Sequence, residues 1–144
     1  REFNFLFATT NLEKQIDIYK QGSEEFRPEA ESLDLCFTSP PYFDTEKYSA
    51  ESTQSYKKFP TSDEWVDGFL KKTIENCYFG LKKNGYMLIN IANTPKYKFI
   101  EKETVNISKD IGFTQEPTVD LILSSVAGKG VKTEPIFVFK KESQ

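Results

Sequence analysis

The sequence predicts an α/β domain in three layers, with a mostly parallel sheet and an antiparallel pair of strands at its C-terminal end. Three observations carry this. First, β-leaning and helix-periodic runs alternate along the 144 residues in the order strand, strand, helix, strand, helix, strand, strand. Second, Tyr86-Met87-Leu88-Ile89-Asn90-Ile91-Ala92 is almost continuously apolar, the pattern of a strand covered on both faces. Third, the last two β-leaning runs are joined through Gly128-Lys129-Gly130, a connection short enough for antiparallel pairing.

The elements follow in order. Ile16-Asp17-Ile18-Tyr19 is a short strand-like run closed by Gln21-Gly22-Ser23, and Leu33-Asp34-Leu35-Cys36-Phe37 is a second, closed by two prolines. Both read as buried strands. Pro60-Thr61-Ser62-Asp63-Glu64 opens a helix, because Thr61 and Glu64 stand at capping-box spacing. Its apolar residues Trp65, Phe69, Leu70, Ile74, Cys77, Tyr78 and Leu81 recur at threes and fours, a stripe for a sheet. That helix should reach about Lys82 and stop at Lys83-Asn84-Gly85. After the central strand a weaker helix spans about residues 100–111 and ends at Gly112. Residues 118–124 and 135–140 then form the closing pair.

A chain of this length fits one domain with a packed core. Apolar residues make up 38% and aromatic residues 15%, without the polar bias of disorder. No apolar run nears the roughly 20 residues that span a bilayer, and no N-terminal signal peptide is visible, so a cytoplasmic location is expected. Cys36 and Cys77 lack metal-ligand spacing and read as reduced core thiols. Histidine is absent, which removes imidazole bases and most zinc sites from the possible chemistries. A net charge of −3 counts against DNA binding by this chain alone. Lys57 and Lys58, Lys96, Lys98 and Lys102, and Lys129 and Lys132 remain as local basic clusters.

The chemistry concentrates at Thr38-Ser39-Pro40-Pro41-Tyr42. Two prolines directly after a buried strand fix the backbone at the strand's carboxyl end, the edge where open α/β sheets place ligands. Pro41 offers no N–H, so the Pro40 carbonyl is available as an acceptor, and Ser39 supplies a second one beside it. Tyr42 adds a flat ring on which a planar base can stack, worth about 1–3 kcal/mol. Two acceptors and a stacking ring suit an exocyclic amine.

Leu35-Cys36-Phe37-Thr38-Ser39-Pro40-Pro41-Tyr42 resembles the catalytic motif of the amino-methyltransferases that modify cytosine N4 or adenine N6 in DNA. The turn at Gln21-Gly22-Ser23, the Trp65 helix and the helix-to-strand joint at residues 81–88 stand as in that family. The resemblance covers roughly residues 15–140. It implies an incomplete Rossmann-like class I methyltransferase fold, S-adenosylmethionine as cofactor and DNA as partner, with no metal. By it, Ser39, Pro40, Pro41 and Tyr42 are catalytic; Gln21, Gly22, Ser23 and Thr38 contact the cofactor; and Phe43, Asp44 and Tyr48 begin a substrate loop. The amine of a flipped base would attack the sulfonium methyl in line, with catalysis by positioning and electrostatics. Ser39 in the first motif position favours cytosine over adenine.

The same resemblance marks what is missing. Neither the family's glycine-rich cofactor motif nor its acidic ribose ligand occurs, and Gly128 and Gly130 are paired in the wrong place. The missing half is expected upstream of Arg1, which would leave this polypeptide inactive alone. The strand at residues 33–37 should then have an open edge that pairs with residues 3–7 or with a second copy of the chain. Two other readings stay open: an N-methyltransferase acting on protein glutamine or RNA, and a non-enzymatic module that retains the fold.

Overall fold

The computed structural model describes residues 16–45, 50–126 and 130–143. Strand β1 (Leu33–Thr38) is followed by a one-turn helix α1 (Ser55–Lys58). A long helix α2 comes next, made of an α-helical turn Ser62–Trp65, a π-helical segment Val66–Leu70 and a second α-helical stretch Lys71–Gly80. Strand β2 (Leu81–Asn90), helix α3 (Ile100–Ile111), and strands β3 (Phe113–Val126) and β4 (Gly130–Lys141) complete the chain.

The four strands form one sheet in the order β1-β2-β4-β3. Strands β1 and β2 run parallel, while β4 is antiparallel to both of its neighbours. The long β3–β4 hairpin is the expected closing pair, extended at both ends. Among the described residues the parallel half of the sheet is thus one pairing, and β1 is an edge strand. Residues 3–7, expected as its partner, lie outside the described residues.

Helix starts and stops follow local chemistry. Thr61 accepts at its hydroxyl from the Glu64 N–H at 3.2 Å, and the Glu64 carboxylate accepts from the Thr61 N–H at 3.1 Å, a complete capping box. Helix α2 ends at Gly80, earlier than the Lys83-Asn84-Gly85 stop predicted. Its C-cap Leu81 is already extended and begins β2, and Asn84 takes φ +63° inside that strand, where the β1–β2 register shifts. Helix α3 stops where predicted, with Gly112 at φ +121°.

One expected strand is not formed. Residues 16–19 lack a sheet partner and Ile18 is 90% exposed, so alternation alone did not secure a place in the sheet. The chain there nevertheless returns to the body through Ser23 and Glu24, whose carbonyls both accept from the Asn76 amide.

The core lies on one face of the sheet. Trp65, Leu70 and Ile74 of α2 and Ile100 of α3 are fully buried, packed with Met87, Ile89 and Phe139 of β2 and β4. The opposite face carries Leu35 beside Tyr86 and Phe37 beside Leu88 in register. Leu35 and Phe37 remain 56% and 61% exposed. The expectation that β1 and β2 are covered on both faces is therefore met on one. Among the described residues the helices make a single layer, and the third layer of the predicted architecture is not among them.

Candidate active site at the carboxyl ends of the strands

The double proline places its loop where predicted, just beyond the carboxyl end of β1. Pro40 is buried and Ser39 exposed, so the backbone is anchored at the proline while the serine stays accessible. Beyond them the Phe43 N–H donates to the Pro41 carbonyl at 3.0 Å, and the Thr45 N–H donates to the Tyr42 carbonyl at 3.2 Å. This tight reversal sets Phe43 at φ +55°, a conformation that a bulky side chain rarely adopts. The Phe43 ring meets Trp65 and Tyr97 edge-on, with centroids 6.1 and 6.4 Å away. Asp44 follows, one oxygen 2.7 Å from the Lys96 ammonium. Its other oxygen is buried with no hydrogen-bond partner among the described residues.

Tyr42 is buried rather than splayed. Its ring belongs to the core cluster, and its hydroxyl donates to the Glu134 carboxylate at 3.0 Å, with the Asn90 carbonyl oxygen at 3.4 Å. Ser39 donates to that same Asn90 oxygen at 3.3 Å, and the Asn90 amide N–H donates to the Pro135 carbonyl at 3.0 Å. Asn90 sits at the end of β2 and Glu134 on β4, so three strands converge on one polar cluster. Neither residue was assigned a role from sequence. The signal for Asn90 was a polar residue inside an apolar run; for Glu134 there was none, because its approach to Tyr42 depends on strand order.

Residues expected to meet a cofactor are brought to the same end of the sheet. Gln21, Gly22 and Glu24 line a cleft of about 820 Å³ with Tyr19 and Lys58. Gly22 and Glu24 also border a smaller cleft, about 240 Å³, whose far wall is Pro41. Ser23 and Thr38 line a groove of about 340 Å³ along β1. Gly22 is followed by a turn in which its carbonyl accepts from Glu25 and Phe26 at 3.0 Å each, while the Ser23 hydroxyl bonds that of Thr73 on α2 at 2.9 Å. Glu24 is nearly sealed from solvent, its side chain 6% exposed and one oxygen 2.6 Å from Lys58. Its second oxygen is buried without a partner among the described residues. Hydrogen bonds to Glu24 and Glu25 hold the Lys58 ammonium above the usual lysine range. Tyr48, the remaining substrate-loop candidate, lies outside the described residues.

Cys36 of β1 and Cys77 of α2 face one another in the groove beside Thr38. Their thiols are hydrogen-bonded, which draws Cys36 below its ordinary range and, with burial, pushes Cys77 well above it.

The Ser-Pro-Pro-Tyr segment thus follows the end of β1, with a cleft bordered by Pro41 beside it. Residues 33–144 match the DNA methylase family of N6/N4 methyltransferases, and the chain belongs to that family. Solved structures agree on the fold. A Thermus thermophilus protein described as a DNA modification methylase superposes with a TM-score of 0.61 at 14% identity, covering 86% of this chain and 52% of its own. The 1,6-didemethyltoxoflavin-N1-methyltransferase of Burkholderia thailandensis gives 0.59 at 12% identity, over 99% and 57%. N-methyltransferase NodS of Bradyrhizobium japonicum gives 0.56 at 13%, over 98% and 62%. The chain thus spans about half the length of the first of these. No curated protein matches it in sequence. Among the described residues no helix is long and apolar enough to cross a membrane.

Proposed function

We propose that this chain carries the reaction centre of an S-adenosylmethionine-dependent DNA methyltransferase acting on the exocyclic amine of a base extruded from the duplex. The observation that carries the reading is the exposed Ser39 beside the anchored Pro40-Pro41 turn, within a family-matched segment. The Thermus protein has been solved with S-adenosyl-L-methionine, and NodS with S-adenosyl-L-homocysteine.

The residues present fit that cofactor. The unpartnered Glu24 oxygen needs a hydrogen-bond donor, which the adenine amine, ribose hydroxyls and methionine ammonium all supply. The cleft at Gln21, Gly22 and Glu24 has room for a nucleoside, and the smaller cleft that shares Gly22 and Glu24 with it is also lined by Pro41. Bound there, the cofactor supplies an electrophilic methyl on a sulfonium. Ser39 and the Pro40 carbonyl accept from the substrate amine and hold its nitrogen lone pair toward that methyl. The Tyr42 ring, packed in the core, supports the turn from beneath rather than stacking on the base, and Asp44 offers its buried unpaired oxygen to a further donor on the base edge. Ser39 as first motif residue supports cytosine N4 over adenine N6. A cytoplasmic location accords with a DNA substrate.

The test is transfer of labelled methyl from S-adenosylmethionine to DNA by the full-length protein, followed by nucleoside analysis. N4-methylcytosine is the expected product, N6-methyladenine would reassign the base, and no transfer to DNA with protein or RNA as the labelled species would replace DNA as substrate. Ser39→Ala should lower kcat by about 100-fold, the scale for losing one positioned hydrogen-bonding group.

A further inference from the structure

The polar cluster where β1, β2 and β4 converge carries the argument one step further, resting on the function proposed above. We propose that Glu134 and Asn90 are positioning residues that fix the polarity of the Ser39 hydroxyl, so that it accepts from the substrate amine and does not donate to it.

A serine hydroxyl both donates and accepts, and it serves an N–H donor best when its own proton is engaged elsewhere. Asn90 provides that engagement. Its amide N–H is spent on the Pro135 carbonyl at 3.0 Å, which leaves its carbonyl oxygen facing the site. That oxygen cannot donate, so the Ser39 proton points to it at 3.3 Å and the serine lone pairs face outward. Tyr42 lies 3.4 Å from the same oxygen, and a second donor there would weaken its hold on the Ser39 proton. Glu134 removes the competitor: its carboxylate lies at 3.0 Å from the Tyr42 hydroxyl, and a charge-assisted bond is about twice as strong as a neutral one. The single phenolic proton therefore goes to Glu134. An asparagine carbonyl does not pass a proton onward, so the cluster orients the reacting group and is not a proton relay.

The experiment is a double-mutant cycle on DNA methylation by the full-length protein. Asn90→Leu should lower kcat about 10- to 100-fold while leaving KM for S-adenosylmethionine within about twofold, the scale for groups that orient a reacting residue. Ser39→Ala/Asn90→Leu should be no slower than Ser39→Ala, because both act through one hydroxyl. Glu134→Gln, which leaves Tyr42 a neutral acceptor, should lose less activity than Glu134→Leu, which leaves none. Multiplicative losses in the double variant, or a rise in cofactor KM matching the kcat loss, would show that Asn90 only supports folding and would overturn the proposal. A wild-type protein that methylates no DNA would sink the functional reading and this inference with it, whereas an active wild type with an unaffected Asn90→Leu would sink this inference alone.

Discussion

Phe43 offers a test in which two substitutions should rank in an unusual order. At φ +55° it occupies a region that costs a non-glycine residue about 1–2 kcal/mol. It is held there by its ring, half-buried and packed edge-on against Trp65 and Tyr97. Removing the ring forfeits two aromatic pairs, about 0.5–1.5 kcal/mol each. It also forfeits part of the roughly 3–5 kcal/mol typical of a fully buried Phe→Ala change, about 2 kcal/mol at this exposure. Losing the ring should therefore destabilise Phe43→Ala and Phe43→Gly alike by about 3–5 kcal/mol. They part on the backbone. Alanine keeps the strain, while glycine relieves about 1–2 kcal/mol and loses about 0.5–1 kcal/mol to its freer unfolded chain. Glycine should come out the more stable by about 0.5–1 kcal/mol, read as a higher urea midpoint at unchanged m. At a relaxed position glycine is the worse of the two. If Phe43→Gly unfolds at lower urea than Phe43→Ala, the backbone is not strained and the reasoning fails.

Other outcomes follow from the same geometry. Thr61→Ala should cost about 1 kcal/mol in urea unfolding, with Thr61→Ser restoring most of it, since only the hydroxyl caps helix α2. Gly112→Ala should cost about 2–3 kcal/mol, because a Cβ there meets the Tyr78 hydroxyl at 2.9 Å on a backbone at φ +121°. Brief iodoacetamide treatment with peptide mapping should find Cys36 alkylated well before Cys77, as the shared hydrogen bond lowers the first thiol and raises the second; the reverse order would reject that assignment. Lys58 titrates above the ordinary 10.5, so its pairing with Glu24 and Glu25 is fully present below that pH and lost as pH rises through the elevated value. The melting temperature should fall over that alkaline range in the wild type, with a smaller fall in Lys58→Met.

What the sequence disclosed was governed by how local each cause is. The capping box, the Gly112 stop and the double-proline turn depend on residues within a few positions, and all three stand where they were read. The hairpin was legible because its strands are adjacent in sequence. Residues 16–19 were misread because a strand needs a neighbour, and the pattern of one segment does not supply it. The end of α2 was misplaced for a similar reason: Lys83-Asn84-Gly85 is a fair stop locally, yet Leu81 is pulled into pairing with Leu33. At the site, Ser39 to Tyr42 could be read as a motif. Glu134 could not, since it stands 92 positions from Tyr42 and arrives only through the β1-β2-β4 order.

The π-helical segment of α2 has a consequence for chain length. Buried residues along this helix fall at Trp65, Phe69 and Thr73, and again at Val66, Leu70 and Ile74, intervals of four throughout. In an uninterrupted α-helix such intervals drift around the axis, because a turn holds about 3.6 residues. A wider turn at Val66–Leu70 absorbs the surplus and lets both rows stay on the sheet. Straightening the segment to a regular α-helix with every residue kept would give better hydrogen bonds, yet everything beyond it would rotate by about a quarter turn. Ile74 would leave the core and Ser23 would lose Thr73. Deleting one of these five residues would instead let a regular helix keep both rows on the sheet, so the wide turn and the surplus residue belong together.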